Sequence, residues 1–246
     1  MKKILTLSAV LACMLHAEIL VYGPGGPAPV LKELALEFEQ KHKEKVNITA
    51  GPTPAWIQKA KADADLIFSG NTSMMDSFIK AMPDELEYKN IQVLNIRPSG
   101  IIVRPNNPKK IKNFEDLLKK NIKIMVVDGA GQVGLYEDMA LKTGKRENLV
   151  ALRKNIVLYA KNSKEALESW NNNKNIDALI IWSHWAKVLE GKAEFVKLSE
   201  ESVIYRSSEI IPTNKGLKNK KALEFVKFIQ SKEAQKIWQK YEWLEK

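Results

Sequence analysis

Short apolar runs alternate with amphipathic stretches along almost the whole chain, and this alternation constrains the fold more than any single motif. Ile19 to Tyr22 reads as a strand. Val30, Leu31, Leu34, Ala35 and Phe38 then recur at three- and four-residue spacing opposite Lys32, Glu33, Glu37 and Glu39, which predicts a helix. Val46 to Ala50 is a second strand, Trp56 to Ala62 a helix, and Asp65 to Phe68 a third strand. This βαβαβ order calls for an α/β fold with a mostly parallel sheet, helices on its faces and ligands at the carboxyl ends of its strands.

The pattern changes where Ile91 to Ile96 meets Gly100 to Val103 through Arg97-Pro98-Ser99, with no helix between them. Two extended runs end to end predict a crossing into a second lobe. That lobe repeats the logic with a helix over Asn113 to Lys119, a strand over Ile122 to Val127 and a helix over Gly134 to Leu141. Strand Ile156 to Tyr159, helix Ser163 to Trp170 and strand Ile176 to Trp182 complete it. The chain returns through Val203 to Arg206 and Glu209 to Pro212, a second crossing. It ends in two helices, Lys220 to Gln230 and Ser231 to Tyr241, whose apolar residues need the first lobe to pack on. The expected organisation is a leader over 1–17, a first lobe of 18–97 plus 206–246, and a second lobe of 98–205.

The leader has the parts of a cleaved signal peptide: Lys2-Lys3, the apolar run Ile4 to Leu15, and Ala17 before Glu18. The run is shorter than the about 20 residues of a membrane-spanning helix, so export to the periplasm is expected. Cys13 behind Val10-Leu11-Ala12 loosely resembles a lipoprotein box, but the Ala17/Glu18 boundary suits ordinary cleavage. Cys13 is the only cysteine. Cleavage at Ala17 therefore excludes disulfides, thiolate metal sites and cysteine nucleophiles together. The 39 Lys and Arg exceed the 29 Asp and Glu, a balance that draws anions to the surface. No basic stripe is interleaved with aromatics, so nucleic acid is not an expected partner. His42 and His184 are too few for a transition-metal centre, no cofactor is expected, and adjacent Ser183 and His184 do not make a nucleophile and base. An enzyme is not expected.

Several loops share one design, each following a strand, rich in Gly, Ser, Thr or Asn, and opening a helix. They are Gly23 to Pro29, Ser69 to Ser73, Gly129 to Gly134 and, less cleanly, Pro52-Thr53-Pro54. Free amides at a helix start form an anion site, which makes Gly25, Gly26, Ser69, Asn71, Thr72, Gly131 and Gln132 candidate ligand-binding residues. Any parallel α/β protein also needs glycines and caps at such turns. Arg97 and Arg206 sit at the two crossings in a chain whose cations are mostly lysine, and each offers a bidentate fork to a carboxylate, sulfate or phosphate. A structural ion pair would serve either arginine equally well. Tyr22 would add a hydroxyl in the same region and Ser183 another at the rim of the second lobe, whereas Trp182 and Trp185 suit core packing. Gly129-Ala130-Gly131-Gln132-Val133-Gly134 matches the dinucleotide pattern, but no acidic residue closes the next strand to take a ribose.

Taken in order, Tyr22-Gly23-Pro24-Gly25-Gly26-Pro27, Gly51-Pro52 with Trp56, and Lys59-Ala60-Lys61 with Asp63-Ala64-Asp65 resemble the accessory colonization factor group of periplasmic binding proteins. So do Gly129-Ala130-Gly131 with Glu137-Asp138-Met139, Trp182-Ser183 with Trp185, Tyr205-Arg206, and the tail Ser231-Lys232-Glu233-Ala234-Gln235. That group is related to the molybdate- and sulfate-binding proteins. The resemblance implies a two-lobed, type II periplasmic binding fold with two crossing strands and a small anion in the cleft. It implies a ligand that is an oxyanion or a small carboxylated or phosphorylated metabolite, held by the first glycine loop, the loop near residue 71, the loop near 131 and Arg97. Partners would be an inner-membrane ABC permease or a chemoreceptor, with a homodimer or an adhesin role as further expectations. The chain runs straight from Gln132-Val133 to Gly134 without the Ser/Thr-rich insertion of metabolite-binding members, which favours a compact oxyanion.

Overall fold

The computed structural model describes residues 18–245, so the leader and Cys13 lie outside the described residues. The first half contains β1 (Ile19–Gly23), α1 (Ala28–His42), β2 (Val46–Ala50), α2 (Ile57–Asp63), β3 (Leu66–Ser69) and α3 (Thr72–Ala81). β2 and β3 pair in parallel on either side of β1. Side chains alternate across a strand, so β1 sends Ile19 and Val21 to one face, where α1 packs, and Tyr22 to the other, against Trp56, Ile67 and Phe78. The apolar stripe of α1, from Val30 to Phe38, is buried as its spacing requires. The helix ends at Lys43, whose φ of 59° is left-handed.

The two runs around Pro98 form one 12-residue strand, β4 (Gln92–Val103). Downstream lie β5 (Ile124–Val127), α4 (Leu135–Leu141), α5 (Arg146–Asn155), β6 (Ile156–Ala160), α6 (Ser163–Asn172) and β7 (Ala178–Trp182). They are followed by α7 (Trp185–Val188), β8 (Glu194–Lys197), β9 (Tyr205–Pro212), α8 (Asn214–Lys218), α9 (Lys220–Ile229) and α10 (Lys232–Lys240). Strand order is β2-β1-β3-β9-β4-β7-β5-β6, with β8 also on β4. The first part of β4 pairs antiparallel with β9, and its last five residues pair with β7. β4 and β9 are therefore the two crossing strands. Pro98 sits where β4 changes partners and contributes only its carbonyl, which accepts from the Ser183 amide at 3.0 Å.

The apolar interior divides accordingly. One cluster draws only on residues between Ile101 and Val203, while the other two cover opposite faces of the first sheet. Phe225, Val226 and Trp238 of the last two long helices join Ile19 and Phe38, as their apolar faces lead one to expect.

Three elements differ from the sequence reading. The helix expected over Asn113 to Lys119 is a single 3-10 turn, Glu115–Leu118, because only Phe114 and Leu117 anchor it before Lys119, Lys120 and a left-handed Asn121. Helix α5 escapes the periodicity because it buries only Leu149 and Leu152. β8 is short, and its terminal residues Glu194 and Lys197 are exposed.

Candidate functional site

A cavity of about 290 Å³ lies at the carboxyl ends of the strands, bounded by the loop after β1, the loop after β3, the crossing strand β4 and the loops after β5 and β6. Helices α1, α3 and α6 all begin beside it. Their first turns present backbone N–H groups, and Asn71 and Asn162 cap α3 and α6 by accepting from the Met74 and Glu165 amides at 2.8 and 3.0 Å.

Arg97 is the charge at its floor. It is 2% exposed, and its one side-chain hydrogen bond to the described residues is donated to the Gly70 carbonyl. Its Nε has no partner, and no carboxylate pairs with it among the described residues. The guanidinium lies over the Trp182 ring at 4.5 Å and near the Trp243 ring at 5.3 Å. Burial, and then the charge of Arg206, pull it down to about 9, so it is still a cation at neutral pH. Three glycines make room around this group. A Cβ on Gly26 would stand 2.9 Å from Nη1, one on Gly70 3.0 Å from Nη2, and one on Gly131 3.8 Å from Nη2. Indole N–H groups of Trp182, Trp185 and Trp243 and both nitrogens of His184 are also buried without partners. Trp182 and Trp185, which line the cavity with Arg97, thus carry N–H groups without partners among the described residues, beside a buried cation that a small anion complements.

Of the sequence candidates, Gly25, Gly26, Arg97, Gly131 and Gln132 come together at the cavity, where Gln132 donates to Ser163 Oγ at 2.8 Å. Asn71, Thr72 and Arg206 line a neighbouring recess instead. Asn71 donates to the Gly131 carbonyl at 2.9 Å, and Arg206 reaches the same carbonyl at 3.2 Å and Asp138 at 3.0 Å. These residues bind one lobe to the other. Thr72 donates to Glu209 at 2.6 Å, whose carboxyl is raised chiefly by burial.

The remaining three candidates reach neither the cavity nor the recess. The alternation of β1 turns Tyr22 into the core, where its hydroxyl donates to Asp63 at 2.7 Å. Ser183 donates to the Glu242 carbonyl at 3.0 Å, and Ser69 is enclosed at the end of β3. The dinucleotide-like glycines have local causes. A Cβ on Gly129 would meet the Lys161 carbonyl at 2.0 Å, and Gly134 has a φ of +76°. Sequence reasoning missed Asn162 and Ser163, although they follow a strand and open a helix as the other loops do. It also missed Trp243, which comes beside the Arg97 guanidinium only because the tail turns back to bridge Ile96 with Leu244.

The family model of the bacterial extracellular solute-binding proteins matches residues 19–243. The chain belongs to that family. Among solved structures, PEB3 from Campylobacter jejuni is similar at 32% identity, with a TM-score of 0.85 over 93% of this chain and 100% of the other. L-phospholactate-bound PEB3 gives a TM-score of 0.86 at the same identity and coverage. The sulfate-binding protein SubI from Mycobacterium tuberculosis H37Rv, at 17% identity, gives a TM-score of 0.77 over 93% of this chain and 86% of the other. The substrate-binding domain of a putative molybdenum ABC transporter from Clostridium difficile, at 16%, gives 0.71 over 93% and 99%. The fold of this solute-binding protein is therefore the type II periplasmic one. No curated protein matches the chain closely enough to count as a relative.

Proposed function

We propose that this solute-binding protein captures a small anion between its lobes in the periplasm and delivers it to an inner-membrane ABC permease. The observation that carries this reading is Arg97, a buried guanidinium with no carboxylate partner among the described residues, approached by three glycine backbones. The lobes are residues 18–97 with 206–246, and 98–205, closing by rotation about β4 and β9. The resemblance to the accessory colonization factor group and the similarity to PEB3 support a ligand among small acids.

The cavity refines the class. A tetrahedral oxyanion fills the room of about two waters, ~60 Å³, whereas the space is about 290 Å³. Leu167, Met74 and Pro52 add apolar lining beside Arg97. This favours a small carboxylated or phosphorylated metabolite, its acid group at Arg97, over a bare oxyanion. L-phospholactate, the ligand of PEB3 in one structure, is the first compound to try.

Thermal denaturation with sulfate, molybdate, citrate and L-phospholactate tests the reading. Binding stabilises by about 2.7 kcal/mol at one hundred times Kd, so at least one anion raises Tm with concentration. A flat response to all four contradicts it.

A further inference from the structure

Helix α6 turns one stripe to the cavity. Ser163, Lys164, Leu167, Glu168 and Asn171 line it, while Ala166 and Trp170 on the other face are buried in the apolar interior of the second lobe. Lys164 and Arg97 are the two cations in the lining among the described residues.

Neither the helix nor an ion pair accounts for a lysine at this position. Lys164 stands in the first turn, where unpaired N–H groups and the helix dipole favour an acidic side chain such as Glu165 beside it. Its salt bridge runs to Glu168 at a long 3.8 Å, between side chains that are 74% and 62% exposed. The order is the weaker one as well, since Glu before Lys at this spacing suits the dipole and Lys before Glu does not. An exposed pair of this kind contributes little to stability, so turning the ammonium to a ligand costs the fold little.

The start of α6 is also joined to the surroundings of Arg97. Ser163 Oγ accepts from Gln132, the residue after Gly131, and a Cβ on Gly131 would stand 3.8 Å from Arg97 Nη2. Two residues of one loop, Gly131 and Gln132, therefore lie between the guanidinium and the first turn of α6. A ligand small enough for the cavity, with one acid group at Arg97, has the rest of its body within the lining that Lys164 shares.

We propose that Lys164 determines the specificity of the cleft by taking a second acid group of the ligand while Arg97 holds the first, so that the site prefers small two-acid metabolites to single acids and bare oxyanions. This rests on the anion-binding reading of the cleft and narrows its ligand class. Glu168 holds the ammonium within the lining until the ligand arrives.

The experiment is calorimetric titration of two matched pairs of compounds, L-phospholactate with ethyl phosphate and succinate with propanoate, together with sulfate and molybdate. Each pair differs by one carboxylate. The proteins are the wild type, Lys164→Gln and Lys164→Arg; the side chain is exposed, so neither variant disturbs the core. The wild type favours the two-acid member of at least one pair. Lys164→Gln reduces that preference at least about tenfold, as loss of a hydrogen bond between charged groups does, and Lys164→Arg retains most of it. A purely structural role for Lys164 would weaken both members of a pair alike and leave their ratio unchanged. An unchanged ratio in Lys164→Gln, or a wild type that binds single acids or bare oxyanions as tightly as two-acid compounds, overturns the role of Lys164 and leaves the cleft reading intact. No binding of any of these compounds by the wild type overturns both.

Discussion

A buried arginine without a carboxylate is unfavourable unless something else supplies the negative charge, and Arg97 is held in that condition by its neighbours. The Gly70 carbonyl takes one N–H and two indole rings cover the guanidinium, but none of these neutralises it. Gly26 is the most sensitive test of the arrangement. In Gly26→Ala the new methyl group would press on the movable end of Arg97 rather than on backbone. We predict tenfold or weaker anion affinity with folding stability changed by less than about 1 kcal/mol, measured by titration calorimetry and urea melts. Arg97 was legible in the sequence as a rare arginine at a crossing, and Gly26 and Gly131 as turn residues after strands. Trp243 was not legible, because its place depends on a tail pairing 140 and more residues away from its partner strand, and no local pattern encodes that. Tyr22 was misplaced for the opposite reason: proximity in sequence to the glycine loop says nothing about the face its strand presents.

At the scale of elements, the helices that face the cleft are set by caps as much as by their apolar stripes. Asn71 does two things at the start of α3, accepting from the Met74 amide within its own lobe and donating to the Gly131 carbonyl across the cleft. Two substitutions separate them. Asn71→Ala loses the cap and about 1 kcal/mol of stability in urea melts. Asn71→Asp keeps the cap but sets an acceptor against a carbonyl, so stability holds while anion affinity falls several-fold. Equal affinity in Asn71→Asp and the wild type would show that the contact with Gly131 does not favour the closed form. Strands and the strongly amphipathic helices were readable from spacing alone. Helix α5 and strand β8 were not, since each buries too few apolar residues to leave a periodic trace, and the turn at Glu115 to Leu118 lacked the apolar surface to extend into a helix.

Across the whole molecule, β4 and β9 pair as far as Pro98 and Tyr205, where β4 passes on to β7, and Arg97 beside that point lines the cavity. Arg97 and Arg206 face each other in register on these two strands, one turned to the cavity floor and the other to the Gly131 loop of the second lobe. Ligand and closure are thereby joined at one level of the fold. In the proposed function the anion satisfies Arg97 from within, while Arg206 and Asn71 hold the Gly131 loop. Removing the Arg97 charge should leave the unliganded protein within about 1 kcal/mol of wild-type stability, since a buried unpaired cation contributes little to folding. The most direct measurement is calorimetric titration of sulfate, molybdate, citrate and L-phospholactate into the wild type and Arg97→Gln. At least one anion should bind the wild type and bind the variant about 100-fold more weakly, a loss of about 3 kcal/mol. Equal affinity for the two proteins, or no binding by the wild type, would contradict the account.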